Sequence, residues 1–593
     1  MYEKISLFFF SGLAALSVSV FSPNAEASEA TGETIGHATS EHGVSSVDLQ
    51  LQSHVLQQRE EVAQLLQPVL LTGQSLTTSD VVEVAKGARV RLSDGALERV
   101  RQAHEVLILA ATSGHKIYGL TAGVGLNKDQ AFVDASGGLT EEVIEVSRVF
   151  NRNLIYAHSA GVGPEMEPEL VRAIMVTRLN AILFGSTGVQ PKVAELYRDF
   201  LNNGITPVVP SRGSVGEADI TLITHIGLAM IGEGDVFFQG RRMSANEALI
   251  QVGIEPLVPF GKDALSILSS NAYSTALGAM AVEELKHLLA VNKLLFALSL
   301  EALDGNIEPF LQDAHAIRPF PHVNSAAQDV RTILDGSYLW QPSAMRALQD
   351  PLSYRTGAYT LGAVENALHE LTAQLQIQLN SSDDNPAVVL DVAPPSSLPE
   401  EIALYVNDGN VQGALIPTAN FSPLPWTITF QEAAIALSHL SNASAQRTIK
   451  LADPHFTHLS RFLGTENTFH AYGAIQKVFA SLTAENQSLA LPVSIDLVSI
   501  AGNIEDLSTN APRVVRRVRE SVDNLYYILG IEMMHVGQAI DLRLQENSDL
   551  TLSNTTQSFF DDYRDVVSFL DRDRFLSPDI EASYRFLKDY PVR

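Results

Sequence analysis

The sequence contains no cysteine. Disulfides, thiolate metal sites and thiol nucleophiles are therefore excluded, whereas an oxidising compartment is not. Basic residues are scarce: 40 lysines and arginines stand against 68 aspartates and glutamates, a formal net charge of −28. Such an excess repels a nucleic-acid backbone or an anionic membrane, so neither is expected as a partner; a small ligand with a cationic group fits better. Metal motifs are also missing. There is no His-Glu-x-x-His, and Asp383-Asp384-Asn385-Pro386 lacks calcium-loop spacing, so no metal is expected. Past the N-terminus no apolar run is free enough of charge to span a bilayer, because 276–303 carries Glu283, Glu284, Lys286, Lys293 and Glu301. No internal repeat is present.

What remains describes a globular chain with a large core: 593 residues, 46% hydrophobic and only 18% charged. Residues 1–27 read as a secretory signal, with Lys4 before an apolar stretch and Ala25-Glu26-Ala27 as a small-x-small cleavage site. Export to the periplasm or medium is expected, with no membrane span after cleavage. Residues 28–60 are polar and Ser/Thr/Gly-rich and read as a flexible linker. Beyond them, 61–260 is expected as a smaller mixed part and 261–593 as a helical bundle. Helical periodicity predicts helices over 139–158, 167–184, 192–202, 272–303, 360–380, 425–450, 472–489 and 510–545, with extended pieces near 205–210 and 235–242. The segment 272–303 has no proline and predicts a rod of about 45 Å, a length used in bundles and across subunit interfaces.

The chain is organised around Gly213-Ser214-Val215-Gly216-Glu217-Ala218-Asp219-Ile220-Thr221-Leu222-Ile223-Thr224-His225. An extended run, a Gly-rich turn and an apolar helix put backbone N–H groups and a positive dipole end at one spot. The phosphate-loop pattern is absent. The stretch resembles the core of the aromatic amino acid ammonia-lyases, the histidine and phenylalanine ammonia-lyase family. Further matches run from about 70 to near 590, among them Gly240-Arg241-Arg242-Met243, Ser274-Thr275-Ala276-Leu277-Gly278 and Phe569-Leu570-Asp571-Arg572-Asp573. The resemblance implies a mainly α fold, a long-helix bundle of the histidine ammonia-lyase type. It also implies a homotetramer whose active sites each gather residues from three chains.

The family's Ala-Ser-Gly triad cyclises and loses water to give a methylidene-imidazolone, the electrophile that captures the substrate amine. Here the turn reads Glu217-Ala218-Asp219, one residue short and without serine or glycine, so that cofactor is not expected. Two neighbouring positions differ as well. Leu352 stands where the family has a tyrosine, and Ser269 where it has an asparagine.

Other matching positions are kept, and the resemblance implies their roles. Tyr118, in Tyr118-Gly119-Leu120-Thr121-Ala122-Gly123, matches the base that removes the β-proton. Arg355, in Gln349-Asp350-Pro351-Leu352-Ser353-Tyr354-Arg355, matches the arginine that clamps the substrate carboxylate, assisted by Asn385, with Gln349 of the same motif expected to bind substrate. His158 lies in a motif similar to the histidine-specific branch, near a substrate imidazole; Phe421 matches a ring-packing residue. Glu505 matches a glutamate whose burial calls for a cationic group or ring N–H as partner. Glu217 or Asp219 would face the departing ammonium.

A quaternary ammonium needs no electrophile, because it leaves as a neutral amine. The expected ligand is thus a small zwitterion, a histidine betaine such as ergothioneine or hercynine, giving trimethylamine and a urocanate-type product. Two other readings stay open: lyase or aminomutase chemistry on an ordinary aromatic amino acid, and an exported binding protein without turnover.

Overall fold

A computed structural model describes residues 67–112, 117–120, 122–123, 140–397, 399, 403–495 and 498–592. Residues 1–27, expected as a signal, and 28–60, expected as a linker, lie outside the described residues, as do Thr121 and 124–139 around the Tyr118 loop.

The N-terminal half is mixed. It runs β1 (Val69–Leu71), α1 (Thr78–Ala85), β2 (Val90–Leu92), α2 (Asp94–Thr112), α3 (Glu141–His158), β3 (Val162–Glu165), α4 (Pro168–Leu183) and α5 (Pro191–Asn203). Then follow β4 (Thr206–Pro207), β5 (Pro210–Arg212), α6 (Ile220–Met230), β6 (Asp235–Phe238), β7 (Arg241–Ser244), α7 (Ala245–Val252) and α8 (Asp263–Leu268). Local chemistry sets these ends. Thr77 and Asp80 close a capping box on α1, and Pro168 and Pro191 open α4 and α5, where a missing N–H costs nothing.

The second half is dominated by long helices: α9 (Ala272–Leu303), α10 (Pro321–Ile333), α11 (Gly357–Leu379), α12 (Leu424–Leu451), α13 (Gln476–Leu489), α14 (Ala511–Glu546), α15 (Asn554–Arg564) and α16 (Ser577–Asp589). Between α11 and α12 come β8 (Ala387–Leu390), β9 (Leu404–Asn407) and β10 (Gln412–Ile416). Helix α9 is apolar on nearly all sides and is therefore buried along most of its 32 residues. It packs against α14, which in turn packs on α12, while α11 lies on α12 and α10 on α11. Helices α1 and α4 also pack on α9, so both halves of the sequence share one core and residues 59–593 form one unit. At the centre Arg447 meets Glu532 at 2.6 Å, with both side chains buried and Ser444 donating to the same carboxylate.

Helices predicted from periodicity recur within a few residues, with one informative shift. The segment expected from 472 begins at Gln476. The Asp573 carboxylate accepts the N–H groups of Phe469, His470 and Ala471, and Ala471 is left-handed at φ 45°, so the chain enters as a nested loop. The extended pieces near 205–210 and 235–242 become β4–β6–β7, antiparallel, with β5 pairing instead with β3. The sheet β8–β10–β9 had no counterpart in the sequence reading. One of its faces is covered by α2, through Val106 and Leu107 against Val388, Val406 and Leu415.

Candidate active site

Three helix N-termini meet at the Gly213–Asp219 turn. Helix α6 starts at Ile220 directly after it. Helix α9 is tied to it twice: Asp219 N–H donates to Ser270 O (2.8 Å), and the Asp219 carboxylate accepts from Ser274 N (2.8 Å) and Ser274 Oγ (2.8 Å). From the start of α14, Asn510 N–H donates to Val215 O (2.7 Å) and Thr509 Oγ1 to Gly216 O (3.0 Å). Gly216 has φ 81°, and a Cβ there would stand 2.6 Å from Ala511 N, so only glycine fits. Ser214 Oγ completes the set around Asp219 at 2.5 Å.

This geometry separates two carboxylates that the sequence could not tell apart. Asp219, expected as one candidate to face a ligand ammonium, is fully buried behind the turn and does not line the cavity. It accepts the Ser274 N–H in the first turn of α9, a group that would otherwise be orphaned. Burial pushes its carboxyl up to about 6, against the opposing pull of the Ser214 and Ser274 hydrogen bonds. Glu217 does line the cavity. It is half-buried, and Ser422 Oγ donates to its Oε1 at 3.1 Å. Burial pushes Glu217 up to about 7, with the Ser422 hydrogen bond acting in the other direction.

The cavity has a volume of about 1650 Å³. Six of the residues singled out from sequence line it: Tyr118, Glu217, Ser269, Asn385, Phe421 and Glu505. Tyr118 bridges to Ala122 and packs on a cluster formed by α3 and α8, including Leu154, Ile155 and Leu265. Its neighbour Gly119 has φ 76°, and a Cβ there would sit 2.4 Å from Leu265 Cδ2, so the loop lies directly on α8. Ser269 ends α8, its N–H donating to Leu265 O (2.8 Å). Asn385 accepts from Thr418 N–H (2.9 Å). Phe421 is anchored through its carbonyl, which accepts from Asn271 Nδ2.

Beneath Asn385 lies a buried ionic network absent from the sequence reading. Arg178 donates to Asp383 (2.8 Å) and Asp384 (2.7 Å), and Lys262 to Asp384 (2.8 Å), all with side chains at most 4% exposed. Asp383 also accepts from Ser270 Oγ (2.7 Å) and Asn271 N–H (2.8 Å). The network therefore fixes Asn385 relative to the α8–α9 link. The adjacent aspartates were the only local signal of it, and their partners lie 112 to 206 positions away.

Four expected residues are not at this cavity within one chain. Besides Asp219 these are His158, Gln349 and Arg355. His158 ends α3, with Nδ1 2.8 Å from Leu154 O. Arg355 Nη1 donates to Gln349 Oε1 (2.6 Å), so these two pair with each other in the segment leading into α11. Glu505 lines the cavity but is exposed, in a short bridge with Ile500. Among the described residues of one chain, none covers that side chain. Among the described residues lining the cavity there is no lysine, arginine or histidine; its ionisable groups are Glu217, Glu505, Asp506, Tyr118 and Tyr405. Ser422, Tyr405 and Asp506 were not anticipated from sequence.

A family model described as aromatic amino acid lyase matches residues 76–565. The chain belongs to this family. It is a carbon–nitrogen lyase by family, with the mainly helical fold of the histidine ammonia-lyases. Curated relatives include histidine ammonia-lyase from Geobacillus thermodenitrificans (strain NG80-2), 32% identical over 529 residues, covering 88% of this chain and 98% of that protein. Among solved structures, the ergothioneine-degrading enzyme ergothionase from Treponema denticola, in complex with desmethyl-ergothioneine sulfonic acid, is 40% identical with a TM-score of 0.79. It covers 89% of this lyase and 99% of its own chain. Tyrosine aminomutase from Streptomyces globisporus is 27% identical, with a TM-score of 0.77 over 88% of this chain and 97% of its own. The family's self-formed electrophile does not fit this lyase. The turn is one residue short and has no serine to dehydrate, and a glutamate side chain occupies the cavity face.

Proposed function

We propose that this lyase eliminates trimethylamine from a histidine-like betaine, ergothioneine or hercynine, giving a urocanate-type product. The observation that carries this reading is the turn itself: Glu217-Ala218-Asp219 replaces an electrophile-forming triad with a carboxylate that lines the cavity. A primary amine is a poor leaving group unless an electrophile captures its lone pair. A quaternary ammonium has no lone pair to capture, and its C–N bond breaks to release a neutral amine. In the proposed step Tyr118 takes the β-proton, the C–H electrons form the Cα=Cβ bond, and the Cα–N pair departs on trimethylamine. Glu217 faces the trimethylammonium group, and the carboxylates around the cavity favour a cationic pole. The likeness to ergothionase supports the same substrate class.

Arg355 and Asn385 hold the substrate carboxylate in this reading, with Gln349 binding beside Arg355 and His158, Glu505 and Phe421 addressing the ring. His158, Gln349 and Arg355 do not line the cavity of their own chain, so the proposal requires a homotetramer in which partner chains complete each site. It also places the enzyme outside the cytoplasm, after removal of residues 1–27.

The test is incubation of purified protein with ergothioneine, hercynine and histidine, following trimethylamine or ammonia release and absorbance of the conjugated product. Trimethylamine from a betaine with no ammonia from histidine is expected. Absence of trimethylamine from both betaines rejects the proposal.

A further inference from the structure

Glu217 and Ser422 come from segments 205 positions apart, yet their segments hang from two adjacent residues. The turn bearing Glu217 is tied to Ser270 O through Asp219 N–H, and the segment bearing Ser422 is tied to Asn271 Nδ2 through Phe421 O. Ser270 and Asn271 are themselves held by Asp383 in the buried ionic network. The 3.1 Å contact between Ser422 Oγ and Glu217 Oε1 is therefore imposed by the framework and does not depend on two mobile surface chains meeting.

We infer that Ser422 is a positioning residue that holds the Glu217 carboxylate on the cavity face, making this corner a subsite selective for quaternary over primary ammonium groups. The inference rests on the reading of Glu217 as the partner of the substrate's ammonium. A primary ammonium brings three N–H donors and needs acceptors for each. One Glu217 oxygen is already engaged by Ser422, and the apolar Ile220 and the aromatic Phe421 line the same cavity. A methylated onium has no N–H to satisfy. It spreads its charge over methyl groups that suit an aromatic face beside one carboxylate.

Ser422 also sets the charge state of its partner. A hydroxyl donating to a carboxylate stabilises the anion, so it opposes the effect of burial on Glu217. Among the described residues, the other titratable groups in the cavity are Tyr118, Tyr405, Glu505 and Asp506, and behind the turn lies Asp219; none of these is a cation. From α14, Arg516 reaches the strand before the turn, donating to Ser211 O at 3.2 Å.

The experiment is calorimetric titration of tetramethylammonium into the wild type, Ser422→Ala, Ser422→Thr and Glu217→Gln between pH 5.5 and 8.5. Wild-type binding is expected above the Glu217 midpoint and to weaken as pH falls through it. Ser422→Ala should move that midpoint up by roughly 0.5–1 pH unit, so affinity on the acid side drops about 3–10-fold while that at high pH changes little. Ser422→Thr, which keeps the hydroxyl, should restore the wild-type curve, and Glu217→Gln should remove the pH dependence. A Ser422→Ala curve equal to wild type overturns the inference, as does an equal loss at every pH, which is the signature of lost packing alone. Betaine turnover is scored separately. This binding pattern without turnover rejects the elimination and keeps the subsite, and turnover with a flat binding profile does the reverse.

Discussion

Replacing Glu217 by glutamine removes one charge with little change of shape, and the structure allows the effect to be worked out. Unit charges of opposite sign about 4–5 Å apart attract by roughly 3–4 kcal/mol at an effective dielectric of 20. Glu217 is only half-buried, so solvent screening reduces this to roughly 1–2 kcal/mol. The expected loss in kcat/KM for a betaine is then about 5–30-fold at pH 8 to 9. The pH dependence has a definite sign. The Glu217 carboxyl is pushed up to about 7, so the attractive anion is present above that pH and lost as pH falls through it. The ratio of wild-type to variant kcat/KM should therefore be large at pH 8 to 9 and approach one below pH 6; any ionisation common to both enzymes cancels in the ratio. Initial rates of trimethylamine release across this range provide the measurement. A ratio that is pH-independent, or near one throughout, would refute the assignment of Glu217 to the ammonium end.

Three further outcomes are expected. Tyr118→Phe should abolish product formation while betaine affinity, measured by calorimetry, stays within about threefold, since the phenol oxygen is needed only for proton removal; turnover that survives would exclude Tyr118 as the base. Asp219→Ala leaves Ser274 N–H and two serine hydroxyls unpaired in a fully buried site, so denaturant unfolding should show a loss of about 2–4 kcal/mol; a change under 0.5 kcal/mol would contradict the capping role. Glu532→Leu strands Arg447 and should cost about 3–5 kcal/mol, whereas Arg447→Met combined with Glu532→Leu should recover most of that loss; equal losses in the single and double variants would show that packing, not the unpaired charge, dominates.

How much of this was legible follows from the range of the interactions concerned. The rods α9, α12 and α14 could be read from uninterrupted apolar spacing, which is a local property. The strands of β8–β10–β9 are four or five residues long, and β8 and β9 are separated by a Pro-rich stretch, so no local window carries their pairing. Motif spacing placed Tyr118, Asn385, Phe421 and Glu217 at one cavity. It could not tell that Asp219, two positions from Glu217, turns inward to cap α9. The motif match brought Glu505 to the cavity, but its surroundings depend on distant segments, and within one chain its side chain is exposed. Ser422 drew no attention because its partner lies in a distant segment.

The pinning of the Gly213–Asp219 turn also bears on how this enzyme could change its chemistry. Val215, Gly216 and Asp219 are each bonded to a different point of the surrounding helices within five consecutive residues. Introducing an Ala-Ser-Gly stretch requires inserting an extra residue, and on the inner side Gly216 already touches the start of α14. The added length can bulge only into the cavity, where it would displace Glu217. An electrophile-forming triad is thus not reached from this turn by substitution alone: the anchors on α9 and α14 would have to loosen to admit the extra residue.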